Sequence, residues 1–185
     1  MCYKKTYESQ IGTIYMRSDG TNLTGLWFLD SKDAMKHVGE YEEKDLPIFD
    51  ETIKWLDIYF SGKKPDFIPK LKLENLTPFR KMVIDIMCKI PIGKVITYND
   101  IAKEIAQTKG IKRMSAQAVG GAVGWNPVCI IIPCHRVVGS NKSLTGYGGG
   151  IQNKVKLLEL EGININDYII PTKGTALWKD VFGVT

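Results

Sequence analysis

The residues best suited to chemistry lie in one apolar segment, residues 126–138, where Cys134 stands between a proline and His135. A cysteine thiolate is a strong nucleophile, and a histidine beside it can take its proton. Most buried cysteines, however, only pack in a core, and a neighbouring histidine can be structural. We interpret the segment as an apolar strand that delivers the cysteine, and these residues alone leave a nucleophilic site and a plain core as alternatives.

The wider pattern of motifs resembles one known family. The run Pro133-Cys134-His135-Arg136-Val137-Val138 is similar to the acceptor-site signature of the O6-alkylguanine-DNA alkyltransferases, also called methylated-DNA–protein-cysteine methyltransferases. The similarity continues, in the family's order and spacing, through residues 79–98, Ala118-Val119-Gly120, Asn126-Pro127, Gly146-Tyr147-Gly148-Gly149 and Glu161-Gly162. This resemblance implies direct repair of DNA, in which an alkyl group moves irreversibly from O6 of guanine to the protein's own cysteine. Whether O4 of thymine is also a donor stays open at this point.

The resemblance also implies a role for five residues of the reaction centre. Cys134 corresponds to the alkyl acceptor, His135 to the base that takes its proton through a water, and Glu161 to the carboxylate that orients His135. Asn126 corresponds to the residue that holds the active-site turn, and Tyr98 to the donor that meets the departing guanine. Taken alone, Glu161 could be a solvent-facing charge at a helix end, and Tyr98 a half-buried aromatic residue at a helix start.

Two further groups of residues match the family's substrate and DNA contacts. Those expected to line the guanine pocket are Val123, Val137, Tyr147 and Gly148, and those expected to contact DNA are Thr97, Ser115, Gln117, Ala118, Gly121 and Ser140. Gln117 departs from the family, because an arginine commonly stands there and fills the gap left by the flipped base. Glutamine lacks the cation and the stacking plane of arginine, so we expect DNA affinity, base flipping or substrate range to differ.

The elements that must position these residues can be predicted from local signals. Alternating polarity in residues 11–30 around Ser18-Asp19-Gly20 indicates a hairpin, and apolar residues at helical spacing from Phe49 indicate a helix ending near Ser61-Gly62. Thr77-Pro78 is typical of a helix start, and we expect that helix to run to Pro91-Ile92-Gly93.

A helix-turn-helix is predicted next, with Thr97 capping a helix to about Thr108 and Ser115 capping a second helix over residues 116–124. The second helix contains three glycines, each of which costs about 1 kcal/mol relative to alanine. Close approach to a packed helix or to a DNA groove would explain them, and the sequence leaves both open.

Charge supports a polyanionic partner without proving one. Up to Asn75 the chain has 11 Lys and Arg against 13 Asp and Glu, which leaves 14 against 7 for the remainder. No apolar run is long enough for a membrane span, and no secretory leader is evident, so we expect a cytoplasmic protein. The four cysteines, with His37 and His135, form no spacing typical of a disulfide framework or zinc site.

We therefore predict an α+β fold in which an N-terminal ribonuclease H-like sheet-plus-helix domain (1–75) precedes a winged-helix-like helix-turn-helix domain (76–170), with an extension of unknown role (171–185). The expected partner is double-stranded DNA, bound in the minor groove with its damaged base flipped out, by a monomer that needs no metal or cofactor. Three alternatives remain: a non-catalytic alkyltransferase-like sensor, a helix-turn-helix regulator and a cysteine hydrolase.

Overall fold

The computed structural model describes residues 2–35 and 39–172. His37 and residues 173–185, which make up most of the predicted extension, lie outside these ranges. Among the described helices, none is long and apolar enough to cross a membrane.

An antiparallel three-stranded meander with a short parallel edge strand forms the first part of the chain. The order is β3-β2-β1-β4, with β1 at Tyr3–Ser9, β2 at Gly12–Ser18, β3 at Leu23–Phe28 and β4 at Glu42–Glu43. The predicted hairpin is confirmed between β2 and β3, where the Asp19 carboxylate accepts hydrogen bonds from the backbone N–H groups of Thr21 and Asn22. A four-residue helix, α1 (Lys32–Met35), follows β3.

The second helix covers this sheet. Helix α2 spans Pro47–Phe60, contacts β1, β2 and β3, and buries Phe49, Leu56 and Tyr59. Its predicted end is confirmed, since Ser61 follows it and Gly62 adopts a φ of 79°. The side chains buried between sheet and helix are continuous with those of the rest of the chain, so one apolar cluster supports both parts.

Up to residue 172, four α-helices and a two-stranded parallel sheet make up the second part. They are α3 (Pro78–Met87), β5 (Ile96–Thr97), α4 (Tyr98–Lys109), α5 (Ala116–Gly124), β6 (Val137–Val138) and α6 (Ile151–Leu160). The predicted caps are confirmed: Thr77 accepts from the Arg80 N–H, Thr97 and Asp100 form a complete capping box, and Ser115 accepts from the Ala118 N–H. The mixture of sheet and helices confirms the α+β class.

Two local predictions are wrong. Helix α3 ends at Met87, because Lys89 and Ile90 turn back with hydrogen bonds to the carbonyls three residues before them, and the Ile90 carbonyl accepts from Arg136. Residues 126–133 are a chain of tight turns that touches β3 through a single bridge between Leu26 and Val128, and Cys134 begins a 3₁₀ turn, Cys134–Arg136. A strand was expected there because an apolar run gives no sign of the hydrogen bonds that fold it.

Candidate active site

The turn that carries Cys134 is held by one buried amide. The Asn126 side chain accepts from the Val128 N–H at 3.0 Å and donates both to the Ile132 carbonyl at 2.9 Å and to Cys134 Sγ at 3.1 Å. Strand β3 supports the same turn, since the Leu26 N–H donates to the Pro127 carbonyl and the Leu26 carbonyl accepts from the Cys129 N–H. The N-terminal sheet therefore helps to place the cysteine.

Cys134 is buried, with 6% of its surface exposed, in surroundings that favour its thiolate. Its pKa lies below the ordinary value, chiefly because the Cys129 thiol hydrogen-bonds to it, with the Asn126 amide and the Lys154 charge acting the same way against burial. The pKa of Cys129 is raised instead, by that same hydrogen bond, by burial and by the nearby Asp33 carboxylate. Of the two thiols, Cys134 therefore ionises first.

His135 is completely buried, and its ring is oriented by Glu161. The distance from His135 Nε2 to Glu161 Oε1 is 2.7 Å. The carboxylate also accepts two hydrogen bonds from Arg136, both at 2.9 Å, one from the Tyr59 hydroxyl at 2.7 Å and one from the Gly93 N–H at 3.3 Å. Burial alone would raise the pKa of Glu161, but the hydrogen bonds from His135 and Arg136 lower it to about 2. Glu161 is thus a buried anion and not a solvent-facing charge.

The same contacts define which nitrogen of His135 is basic. An ionised carboxylate only accepts, so Nε2 carries the ring proton toward Glu161 and Nδ1 holds the free lone pair. Burial lowers the pKa of His135, against the effect of Glu161, and keeps the ring neutral at pH 7. Among the described side chains, only His135 Nδ1 and the Tyr147 hydroxyl are buried polar atoms with no hydrogen-bond partner. Such atoms are uncommon in folded proteins and are candidates for contact with a ligand.

The expected pocket residues pack beside this centre. Val123, Val137 and Tyr147 are almost entirely buried, and Gly148 is half-buried. A side chain at Gly148 would overlap the Asp33 carboxylate, and one at Gly149 would overlap the Tyr147 ring, so both glycines are required by close approach.

The Tyr98 hydroxyl contacts the backbone just before Tyr147. Its hydroxyl lies 3.3 Å from the carbonyl oxygens of both Thr145 and Gly146. Burial, together with the charge of Cys134, raises the pKa of Tyr98 above its ordinary value, so the hydroxyl stays protonated. A tyrosine hydroxyl held by backbone carbonyls fits both roles weighed for Tyr98, packing at a helix start and donation to a departing base.

Most of the residues expected to contact DNA are exposed. Ser115, Gln117, Ala118, Gly121 and Ser140 are exposed, and Thr97 is half-buried at the start of α4. A methyl group added at Gly121 or Gly124 would meet nothing within 4 Å, whereas one at Gly120 would just reach the Tyr98 ring. Packing inside the protein therefore does not explain the glycines of α5 at positions 121 and 124.

A cavity of about 480 Å³ opens between helix α5 and the N-terminal sheet. Asn126 and Asp33 line it, but none of the four expected pocket residues does; the remainder of its lining is Arg17, Glu74, Asn75, Gly121, Gly124, Trp125 and Pro127. Within the described ranges, no group of three or more His, Cys, Asp or Glu residues could hold a metal ion.

Sequence reasoning missed several residues that touch the site. Tyr59, on α2, reaches Glu161 from 102 residues away, and the Sγ of Cys129 lies 3.7 Å from Asp33 Oδ2. Lys154 is fully buried on α6 and donates to backbone carbonyls of the site. The charge of Lys154 at an otherwise apolar helix position was the one available signal, whereas nothing local distinguishes Tyr59 or Asp33.

Family models match both parts of the chain. Residues 78–163 match the family model described as 6-O-methylguanine DNA methyltransferase, DNA binding domain, and residues 2–73 match the one described as its ribonuclease-like domain. A methylated-DNA–protein-cysteine methyltransferase of Methanosarcina acetivorans is 38% identical over 86% of this chain and 98% of its own length. One from Haemophilus influenzae is 36% identical, with coverage of 97% and 94%.

Solved structures show the same two-domain architecture. The crystal structure of Mycobacterium tuberculosis OGT in complex with DNA superposes with a TM-score of 0.73 at 36% identity, over 86% of this chain and 92% of that one. An O6-methylguanine DNA methyltransferase from Methanococcus jannaschii gives a TM-score of 0.59 at 30% identity, over 94% and 100%. The predicted order, a ribonuclease-like domain followed by a DNA-binding domain, is confirmed.

Proposed function

Because the chain belongs to the 6-O-methylguanine DNA methyltransferase family, we propose that it repairs DNA by moving an alkyl group from O6 of guanine to the sulfur of Cys134. The observation that carries the assignment to Cys134 is the pairing of a thiol whose pKa is lowered with the neutral histidine next to it in the chain, whose Nδ1 has no hydrogen-bond partner among the described residues. The non-catalytic sensor is disfavoured because it would lack the acceptor cysteine.

The proton of the thiol leaves through His135. Its Nδ1 accepts the proton through an intervening water, and Glu161 stabilises the imidazolium that forms, because Nε2 already donates to its carboxylate. The thiolate sulfur then attacks the alkyl carbon, so the S–C bond forms as the C–O6 bond breaks. The electron pair of that bond leaves with guanine, and the protonated Tyr98 hydroxyl donates to the departing base.

The step is irreversible and uses each molecule once. A thioether is a poor leaving group and is not reversed by thiol exchange, so Cys134 cannot be regenerated by ordinary reductants. DNA supplies the alkyl group and the protein accepts it, so no metal or organic cofactor enters the balance. The chemistry requires Cys134 to remain a thiol, and a reducing cytoplasm would keep it so. We propose that the protein works there as a monomer.

Guanine O6 lies inside the duplex, so the nucleotide must rotate out of the stack to reach a buried cysteine. The exposed face of α5 supports this, because Ala118 and Gly121 present a slim surface that fits a minor groove. Gln117 lies on the same face, where it can hydrogen-bond to the base left unpaired. Contacts of this kind read little sequence, as repair in any context requires.

The test is intact-protein mass spectrometry after mixing with a duplex that contains O6-methylguanine, followed by peptide mapping. One added mass of about 14 Da on Cys134, absent from Cys134→Ser, is the expected result. Specific binding without an adduct would show a damage sensor, and turnover without an adduct would show a hydrolase. A parallel duplex with O4-methylthymine shows whether the pocket also accepts that base.

A further inference from the structure

The cavity between α5 and the N-terminal sheet lies outside the expected guanine pocket. Its volume of about 480 Å³ is within the range of ligand-binding clefts. Gly121 and Gly124 form its edge on α5, and a methyl group added at either would meet nothing within 4 Å. Gln117, Gly121 and Gly124 are spaced by four and three residues, so they share one face of the helix. The cavity therefore adjoins the face of α5 that we expect to lie in the minor groove.

Helix α5 cannot enter a minor groove without approaching both DNA strands. A helix with its side chains is about 10–12 Å across, whereas the minor groove of regular duplex DNA is about 6 Å wide. A sugar–phosphate backbone must then pass along each flank of the helix. The cavity occupies the flank that faces the N-terminal sheet, so the residues that line it are placed to meet the phosphates of one strand.

Arg17, on β2, is the first cation in this cavity. Its Nε donates to the Thr24 hydroxyl at 3.1 Å and its Nη2 to the Thr24 carbonyl at 3.2 Å, which fix the direction of the guanidinium. The Glu74 carboxylate lies 3.6 Å from Nη2, and 52% of the Glu74 side chain is exposed. An ion pair this long and this exposed contributes little free energy. A phosphate can therefore replace Glu74 as the partner of Arg17.

Arg80, on α3, brings a second guanidinium to the same place. It lies over the Trp125 ring at 4.4 Å from the ring centroid, and its Nη1 donates to the Asn75 carbonyl at 2.8 Å. Trp125 and Asn75 both line the cavity. A guanidinium that its neighbours already orient loses little conformational freedom when it binds a phosphate, and its planar fork matches phosphate oxygens.

We propose that Arg17 and Arg80 form a phosphate clamp, which binds the backbone of one DNA strand along the flank of α5 that faces the N-terminal sheet. The inference rests on the proposed function and adds to it a DNA contact made by the N-terminal part of the chain. The Asp33 carboxylate also lines the cavity, but it is buried and lies 3.7 Å from Cys129 Sγ, so the phosphates stay at the outer end. Contacts to phosphates read neither base sequence nor damage.

The salt dependence of binding to an undamaged duplex tests the clamp. Each phosphate contact adds about 0.9 to the slope of log affinity against log salt, measured between about 50 and 200 mM. We expect Arg17→Gln and Arg80→Gln each to lower the slope by about 0.9, the double variant to lower it by about 1.8, and each single variant to bind at least about threefold more weakly. The matched control is Lys81→Gln, because Lys81 is the next residue of α3 and pairs with Asp85; its slope should stay within about 0.3 of the wild type.

Glu74→Gln gives a result of opposite sign. It removes the carboxylate that competes with phosphate for Arg17, so affinity for the duplex should rise about threefold. If the pair of Arg17 and Glu74 served only the fold, losing Glu74 could not tighten DNA binding. Should Arg17→Gln fail to fold, Arg80→Gln and Glu74→Gln carry the test, since Arg80 is half-buried and Glu74 is exposed.

Three results would overturn the clamp: unchanged slopes in the arginine variants, an equal change in Lys81→Gln, or weaker binding by Glu74→Gln. These measurements need no alkyl transfer, so they are independent of the proposed reaction. A wild-type protein that takes up no methyl group, with slopes that shift as expected, would overturn the reaction and leave the clamp standing. Methyl transfer with unchanged slopes would remove the clamp alone.

Discussion

Replacing Glu161 by glutamine should be the most damaging single change near the site that leaves Cys134 itself intact. Tyr59, His135, Arg136 and Gly93 direct five donor groups at the two carboxylate oxygens. A glutamine amide has one oxygen and one NH₂ group, so whichever way it points, at least two donors meet another donor. The Arg136 guanidinium, with 9% of its side chain exposed, also loses its anion.

The size of the effect follows from the burial of this pair. Removing one partner of a buried ion pair costs about 3–5 kcal/mol, which for a chain of this length lowers Tm by about 6–20 °C. The His135 ring loses its fixed orientation too, so we expect the transfer rate of the folded protein to fall at least about 100-fold, the scale of a lost general base.

The assay pairs urea unfolding with single-turnover transfer at 15 °C, well below the expected Tm of each protein. Glu159→Gln is the matched control, since Glu159 is exposed on the preceding part of the same helix. If Glu161→Gln unfolded within about 1 kcal/mol of the wild type and transferred methyl at the wild-type rate, the carboxylate would be neither a structural anion nor the partner of His135.

Other perturbations probe the same centre. Because the folded-state pKa of Glu161 lies below 4.5, at about 2, its contribution is complete above pH 4.5 and is lost as the pH falls toward 2; acid titration of unfolding should show a loss of about 3 kcal/mol that Glu161→Gln lacks. Tyr59→Phe removes one donor to Glu161 and should lower stability by about 1–2 kcal/mol in urea, whereas equal stability would show that this hydroxyl is dispensable. Asn126→Ala removes a donor to Cys134, so the pH profile of iodoacetamide labelling should move upward, and an unmoved profile would contradict the assigned contact. Gln117→Arg should tighten binding to a lesion duplex about fivefold, the effect of about 1 kcal/mol, and a variant that binds, flips and repairs as the wild type does would show that the departure is neutral.

Local signals predicted where α3, α4 and α5 begin, because these starts are decided by neighbouring residues. Thr77 with Pro78, Thr97 with Asp100, and Ser115 each satisfy backbone donors only three residues away. Such contacts are visible in sequence spacing. The roles assigned to Cys134 and the other site residues came instead from resemblance, and they remain predictions that the geometry supports.

Contacts between distant parts of the chain could not be predicted in this way. Tyr59 meets Glu161 across 102 residues, and the thiol of Cys129 meets Asp33 across 96. Both depend on how the N-terminal sheet and helices pack against the second part, which no local periodicity encodes. The strand predicted from the apolar run before Cys134 was wrong for a related reason, since the conformation of this run is decided by Asn126 and by the edge of β3.

The turn before Cys134 also shows why a less strained backbone would not bring Asn126 to the cysteine sulfur. Ile130 has a φ of 70°, a conformation that is rare for a β-branched residue and costs about 1–3 kcal/mol. Burial of Ile130 and Ile132 and the three hydrogen bonds of Asn126 offset that cost. A regular strand would spread the same residues along its length and turn successive side chains to opposite faces. The strained turn instead brings the Asn126 amide back to the sulfur eight residues later, so the acceptor is held in place before any DNA arrives.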